Sequence, residues 1–320
     1  MLLAGTEDGV HRAEDLDGGE ATVRTVLDAG AVMRLRTFEA FEGVFAATAT
    51  GLYHSTDAER WADLGVPQER VYAVGAAPDG RLYAGTRPAH VYIAHPGGED
   101  DLGDLSWREL DGFQGLPSRE EWRLPRHEDL AQVRDLHVHP DAPDRVIAGV
   151  EVGGVHVSED RGEAWTERRE GTHDDVHELA VLGADEFVAA TGYGLFHTDD
   201  AGASWTRLDG GYDQRYFRSV GVVGDAVYAG GALAHTSTWL EPDADPELFV
   251  WRGGDRAQPV PHPRPDETVT GITAVGGDAV VGTHEGTVLR RTGEEWTVVG
   301  ALPATDGFAG SYTPLLEVEQ

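Results

Sequence analysis

The sequence predicts an all-β chain folded as one seven-bladed β-propeller of four-stranded antiparallel blades. Three features carry the prediction: a short strand motif that returns seven times, a tryptophan that recurs behind it, and one strand left over at the C-terminal end. The motif is an apolar strand closing on Ala-Gly-Thr or a near variant. It stands at Leu3-Ala4-Gly5-Thr6, Phe45-Ala46-Ala47-Thr48, Tyr83-Ala84-Gly85-Thr86, Ile147-Ala148-Gly149-Val150, Val188-Ala189-Ala190-Thr191, Tyr228-Ala229-Gly230-Gly231 and Val280-Val281-Gly282-Thr283. A period of about 40 residues containing four short strands is that of a propeller blade. One domain over residues 1–320 follows, although this length alone would suggest two.

The tryptophan opens the last strand of a blade at Trp61, Trp107, Trp165, Trp205 and Trp296. The sixth copy departs from the pattern: after Leu248-Phe249-Val250, Trp251 reads as the end of a third strand. The first copy begins at its second strand, and Leu315-Leu316-Glu317-Val318 is a strand without a neighbour. The C-terminal strand is therefore expected to complete the first blade, a closure that leaves no open sheet edge.

The charge is extreme. Fifty-seven acidic residues face 25 basic ones, a formal net charge of −32, and every basic residue is Arg; Lys, Asn and Cys are absent. Such a surface repels itself at ordinary ionic strength, and molar salt shortens the Debye length to roughly 3 Å. With 40% hydrophobic residues the chain is not a disordered acidic tail. The composition thus predicts adaptation to a salt-rich cytoplasm. It argues against nucleic acid or an anionic membrane as partner. The first residues, Met1-Leu2-Leu3-Ala4-Gly5-Thr6-Glu7-Asp8, lack the basic and apolar regions of a signal peptide. No apolar run reaches the ~18 residues that span a bilayer. A soluble, monomeric, cytoplasmic protein is expected.

Two turns share a stricter pattern. Ser158-Glu159-Asp160-Arg161-Gly162-Glu163-Ala164-Trp165 and Thr198-Asp199-Asp200-Ala201-Gly202-Ala203-Ser204-Trp205 both read Ser/Thr-x-Asp-x-Gly-x-x-Trp, and Ser55-Thr56-Asp57-Ala58-Glu59-Arg60-Trp61 is one residue shorter. This is the Asp-box. The chain resembles the BNR/Asp-box propellers, a superfamily that includes sialidases, sortilin-type receptors and photosystem assembly factors. The motif's chemistry is structural: hydroxyl and carboxylate hold turn amides, Gly supplies positive φ and Trp packs into the blade. The resemblance implies that these turns lie opposite the binding face, so Asp160 and Asp200 are not expected to be catalytic.

Function is expected on the other face, called the top, which carries the loops between blades and between second and third strands. The long departures from the repeat lie mostly there: residues 112–131 with Trp122 and His127, and 234–246 with His235 and Trp239. Elaborated loops on a regular scaffold carry function more often than its core does. The inner strands align as Val71-Tyr72-Ala73-Val74, Val133-Arg134-Asp135-Leu136, Val176-His177-Glu178-Leu179, Phe217-Arg218-Ser219-Val220 and Val269-Thr270-Gly271-Ile272, with Met33-Arg34-Leu35-Arg36 a looser fit. Arg34, Tyr72, Arg134, His177 and Arg218 are then expected near the axis, with Asp135 beside them. Three converging guanidiniums suit a carboxylate, sulfate or phosphate.

The reading that follows is recognition of an anionic small molecule, glycan or protein segment at this funnel. Two alternatives stand beside it. By resemblance to sialidases, Arg34, Arg134 and Arg218 would clamp a substrate carboxylate, Tyr216 and Glu178 would be the nucleophile pair and Asp175 the proton donor. The other alternative is an assembly scaffold, which would show a broad apolar patch around Trp122 and Trp239. A bland reading competes with all three: the axial Arg and acidic residues are salt bridges between blades. No cofactor and no metal is expected, because the 14 His show no three-ligand spacing.

Overall fold

A computed structural model describes residues 1–14, 21–97, 102–103, 105–125, 128–241 and 243–318. Within these residues the strands form seven sheets of four. From the second blade onward the inner strands are Val32–Phe38, Val71–Ala76, Gln132–His137, Val176–Val181, Tyr216–Val223 and Val269–Val275. The first blade is completed by Leu315–Glu317, which pairs antiparallel with Leu2–Thr6 in the register Leu2↔Glu317, Leu3↔Leu316, Ala4↔Leu315. Met1 and Val318 extend the pairing, with Val318 N donating to Met1 O at 2.9 Å. The closing strand has the partner that the sequence required.

The recurring motif has a packing reason. Its third residue faces the inner strand of the next blade, and only a small side chain fits there. A β-carbon on Gly85 would lie 2.6 Å from Val133 Cγ1, one on Gly5 2.7 Å from Val32 Cβ, and one on Gly149 2.8 Å from Val176 Cγ1. Interiors are packed too tightly to give up such a distance. The blade-to-blade core is accordingly aliphatic, with Val71, Val133, Val176 and Val269 each at most 1% exposed.

The turns after the third strands of blades four and five repeat one hydrogen-bond pattern. Ser158 Oγ donates to Asp160 Oδ1 at 2.8 Å and accepts from Gly162 N at 2.8 Å, while Asp160 Oδ1 also accepts from Ala164 N. Thr198, Asp200, Gly202 and Ser204 make the same bonds. Gly162 and Gly202 adopt φ of 92° and 81°, a region open to Gly at no steric cost. The shorter turn uses Asp57 to accept from Glu59 N and Arg60 N, both at 2.9 Å. In the sixth blade Trp251 closes the third strand, Glu247–Trp251, as the sequence suggested.

The two inserts are built into the body rather than displayed. Residues 112–131 carry a one-turn helix (Asp111–Gln114) and a 3-10 turn (Arg119–Glu121), and their Phe113, Leu116 and Trp122 join the core of blades three and four. In residues 234–246 Trp239 is 2% exposed and packs against Tyr216 and Phe308. Trp122 and Trp239, the rings expected to mark an exposed apolar patch, are themselves buried and anchor the inserts, while Leu233 and Leu240 beside Trp239 are exposed. His127 lies outside the described residues. Among the described residues no helix is long and apolar enough to cross a membrane.

Candidate functional site

Each inner strand from blade two to blade seven carries a β-bulge near its start, at its second or third residue, where the pairing register shifts. A bulge re-aims a side chain that would otherwise enter the sheet face, and it turns Tyr72, Arg134, His177, Arg218 and Thr270 toward the axis. Blade two departs from the sequence alignment. Val32 opposes Thr48 as Val71 opposes Thr86, so the bulged residue is Met33, and Arg34 falls one position later, opposite Ala47. Arg34 therefore shares its register with Asp135, Glu178 and Ser219 rather than with Arg134 and Arg218. A one-residue offset was invisible because both neighbours of Leu35 are Arg.

The three arginines do converge, and they converge on a tyrosine. Tyr312, in the join between blade seven and the closing strand, has the guanidinium carbons of Arg218, Arg134 and Arg34 at 3.9, 4.5 and 5.5 Å from its ring centre. All four side chains are buried. Arg134 Nε is bonded to Glu151, which also accepts from Gln132 Nε2 at 2.7 Å. Burial pushes the Glu151 carboxyl up, but Arg134 and Arg218 outweigh it and hold the group well below the usual range. Arg218 donates to Tyr216 Oη and to Ser311 O, both at 3.0 Å. Arg34 reaches across the axis to His177 O at 2.9 Å.

The residues between them fasten one blade to the next. Asp135 Oδ2 accepts from Leu179 N at 3.0 Å, Glu178 Oε2 from Val220 N at 2.9 Å, and Ser219 Oγ donates to Val269 O at 2.9 Å. His177 Nδ1 donates to Phe217 O at 2.6 Å, and Thr270 bonds Thr313 at 2.7 Å. These contacts satisfy backbone groups that a free inner edge would leave orphaned. Most of these ties run from a side chain to the backbone of a neighbouring blade; the salt bridges between blades include those of Asp135 with Arg36 and Arg34, at 2.8 and 3.5 Å.

The hydrolase constellation is not assembled as the resemblance implied. Tyr216 stands with Arg218, Glu151 and Asp175, and burial pushes its phenol up; its ring packs on His177 and Trp239, and Arg218 is its hydroxyl's bonded partner. Glu178 lies on the other side of Arg34, 3.7 Å from Arg34 Nη1. Asp175 pairs with His177 at 3.4 Å. Asp175 thus pairs with His177 and Glu178 with Arg34, in separate contacts.

An axial cavity of 340 Å³ opens beneath Tyr312, lined by the second halves of the inner strands. Its polar floor is Arg34, Arg36, His137 and Glu178, and its walls include Val181, Val222, Ile272 and Leu316. It lies toward the first-to-second strand turns, the side that also carries the Ser158–Trp165 and Thr198–Trp205 turns and opposite to the face expected from loop length. Arg36 keeps 23% of its side chain exposed while bonding Asp135 Oδ1 at 2.8 Å. Burial would raise the Asp135 carboxyl, but Arg36 and Arg34 hold it far below its ordinary value. Glu178, 19% exposed into the cavity, is shifted upward by burial and by Asp135. Burial and Arg36 lower His137, favouring its neutral form.

Sequence reasoning missed Tyr312, Glu151 and Arg36. Tyr312 sits in a join that reads as loop, and Glu151 at the end of a strand whose side chain gave no spacing signal. Arg36 was visible only as the fourth residue of a strand fitted one position out of register.

No family model and no curated protein matches this chain. Solved structures do. An ancestral GH74 enzyme superposes with a TM-score of 0.60 at 16% identity, covering 86% of this chain and 39% of its own. The GH74 xyloglucanase from Xanthomonas campestris gives 0.59 at 15%, covering 83% and 45%. YCF48 bound to D1 peptide gives 0.57 at 12%, covering 83% and 81%. The likeness is one of fold. The chain spans less than half the length of those GH74 chains.

Proposed function

We propose that this chain is a recognition propeller of the Asp-box class, salt-adapted and cytoplasmic, that takes a carboxylate-bearing ligand with an apolar body into its lower axial cavity. The ligand is a small acid or the C-terminal end of a protein segment, which share that chemistry. The observation carrying the reading is the cavity itself: a guanidinium and a carboxyl at the floor, aliphatic walls above them. Pockets of this size with a few convergent polar groups are the default binding sites of proteins. The floor offers the partly exposed Arg36 guanidinium to an incoming carboxylate, and Glu178, shifted upward by burial, lies beside it. YCF48, whose structure holds a peptide, lends support to the protein-segment form of the ligand. A clamp formed by Arg34, Arg134 and Arg218 at the top would require Tyr312 to leave the ring, so the ligand is placed below it.

Glycoside hydrolysis is the second reading, favoured by Glu178 as a raised acid in the cavity and by the GH74 neighbours. A two-carboxylate mechanism needs a second accessible carboxylate, and the adjacent Asp135 is fully buried. One experiment separates the readings. In molar KCl, aliphatic acids and peptides with free C-termini are titrated by calorimetry beside their amides, and chromogenic glycosides are assayed with wild type and Glu178→Gln. Acids should bind and amides should not. Arg36→Gln should weaken binding by about tenfold or more, the worth of one charge-assisted hydrogen bond. Equal binding of acids and amides would remove the recognition reading, and turnover lost in Glu178→Gln would replace it with the hydrolase.

A further inference from the structure

The upper half of the axis holds a second cluster, independent of the lower cavity. Glu151 ends the second strand of blade four, and Asp175 immediately precedes the inner strand of blade five. An isolated antiparallel bridge pairs these two residues through their backbones. Their carboxylates and the His177 imidazole each present one atom within 4.8 Å of the others. We propose that Glu151, Asp175 and His177 bind a divalent transition-metal cation, of which Zn²⁺ is the probe.

Three observations beyond the cluster support the assignment. His177 is fully buried, and its Nδ1 donates to Phe217 O, so a carbonyl fixes the tautomer. Its Nε2 has no hydrogen-bond partner and faces Asp175 Oδ1 at 3.4 Å. A ligating histidine held by a backbone carbonyl through its other nitrogen is the usual outer-shell arrangement of metal sites. Room has also been made for the carboxylate: a β-carbon on Gly192 would collide with Asp175. Ligands about 2.0–2.2 Å from a tetrahedral Zn²⁺ stand roughly 3.4 Å apart. The Asp175–His177 pair already has this separation, and Glu151 needs about an ångström of side-chain movement to match it.

The neighbouring arginines decide which cation fits. Arg134 bonds Glu151 and Arg218 lowers both carboxyls, so two guanidiniums already balance two carboxylates. A dication therefore gains little from charge alone, and the imidazole nitrogen must supply the affinity. That favours Zn²⁺, Co²⁺ or Ni²⁺ over the oxygen-seeking Ca²⁺ and Mg²⁺.

The test uses the full chain, stripped with EDTA, in molar KCl. Surface carboxylates and histidines will bind metal weakly, so the readout is one saturable 1:1 site by calorimetry with ZnCl₂, and a visible Co²⁺ spectrum. Asp175→Asn keeps the shape of the side chain and should weaken that site at least about tenfold; His177→Gln should abolish the Co²⁺ band. Millimolar Ca²⁺ should not compete. Because His177 also ties blade five to blade six, circular dichroism checks the fold of each variant, and Asp175→Asn decides if His177→Gln is unfolded. A wild type without a saturable site, an Asp175→Asn variant with wild-type affinity, or displacement of Zn²⁺ by equimolar Ca²⁺ overturns the proposal.

Discussion

Asp135 and Glu178 occupy the same register one blade apart, yet their surroundings pull them in opposite directions. Asp135 accepts from Leu136 N, Leu179 N and Arg36, and its carboxyl is lowered. A lowered carboxyl contributes stability above the unfolded value of about 3.9, and that contribution is lost as pH falls below it. Glu178 is raised, so the folded state binds its proton more tightly and stability falls as pH rises past the unfolded value of about 4.3. Denaturant unfolding of the two variants from acid to neutral pH should therefore diverge. Asp135→Asn leaves the buried Arg34 and the half-buried Arg36 undercompensated and should cost about 3 kcal/mol at neutral pH, with a shallower acid limb. Glu178→Gln keeps an acceptor for Val220 N and should lose less stability than wild type between acid and neutral pH. Parallel pH profiles for both would show that the axial environment is not the cause.

At the scale of the element, the turn from Ser158 to Trp165 depends more on its hydroxyl than on its Asp160 carboxylate. Ser158 is 1% exposed and its Oγ is the acceptor for Gly162 N, whereas Asp160 faces solvent. Ser158→Ala leaves a buried amide without a partner and should cost about 1–3 kcal/mol. Thr198→Ser, which keeps the hydroxyl in the equivalent turn, should change the midpoint of thermal unfolding little; equal losses in both variants would point to packing rather than the hydrogen bond. These turns, the seven strand motifs and the closing strand were legible because each is a local pattern repeated at blade spacing. Trp251 was placed correctly for the same reason. What was not legible is what several blades make together. The bulge that shifts Arg34 by one residue leaves no mark in Met33-Arg34-Leu35-Arg36, and Tyr312 enters the axis from a join whose direction no periodicity specifies. Loop length pointed to the top face, but Trp122 and Trp239 show that long inserts here are anchored in the core, and the cavity lies on the other side.

For the whole molecule the proposed salt adaptation makes a direct prediction. The structure pairs its arginines widely, as in Arg145 with Glu159 and Asp185 and Arg24 with Glu59. Twenty-five Arg cannot balance 57 acidic residues, so most carboxylates repel across the surface. The thermal midpoint should rise steadily as KCl is raised from about 0.1 M to about 3 M, the range over which the Debye length falls from about 10 to about 3 Å or less. A midpoint independent of KCl would remove the adaptation argument.

The closure of the ring bears on mechanics as well as on stability. Leu2 opposes Glu317 and Met1 opposes Val318, so the two ends of the described chain leave the first blade side by side. A force applied between them loads the backbone hydrogen bonds one after another, as a zipper is opened, rather than all together in shear. A ring closed by pairing the C-terminal strand with the first blade can therefore yield at a single short seam, while heat or denaturant must disrupt seven blades at once.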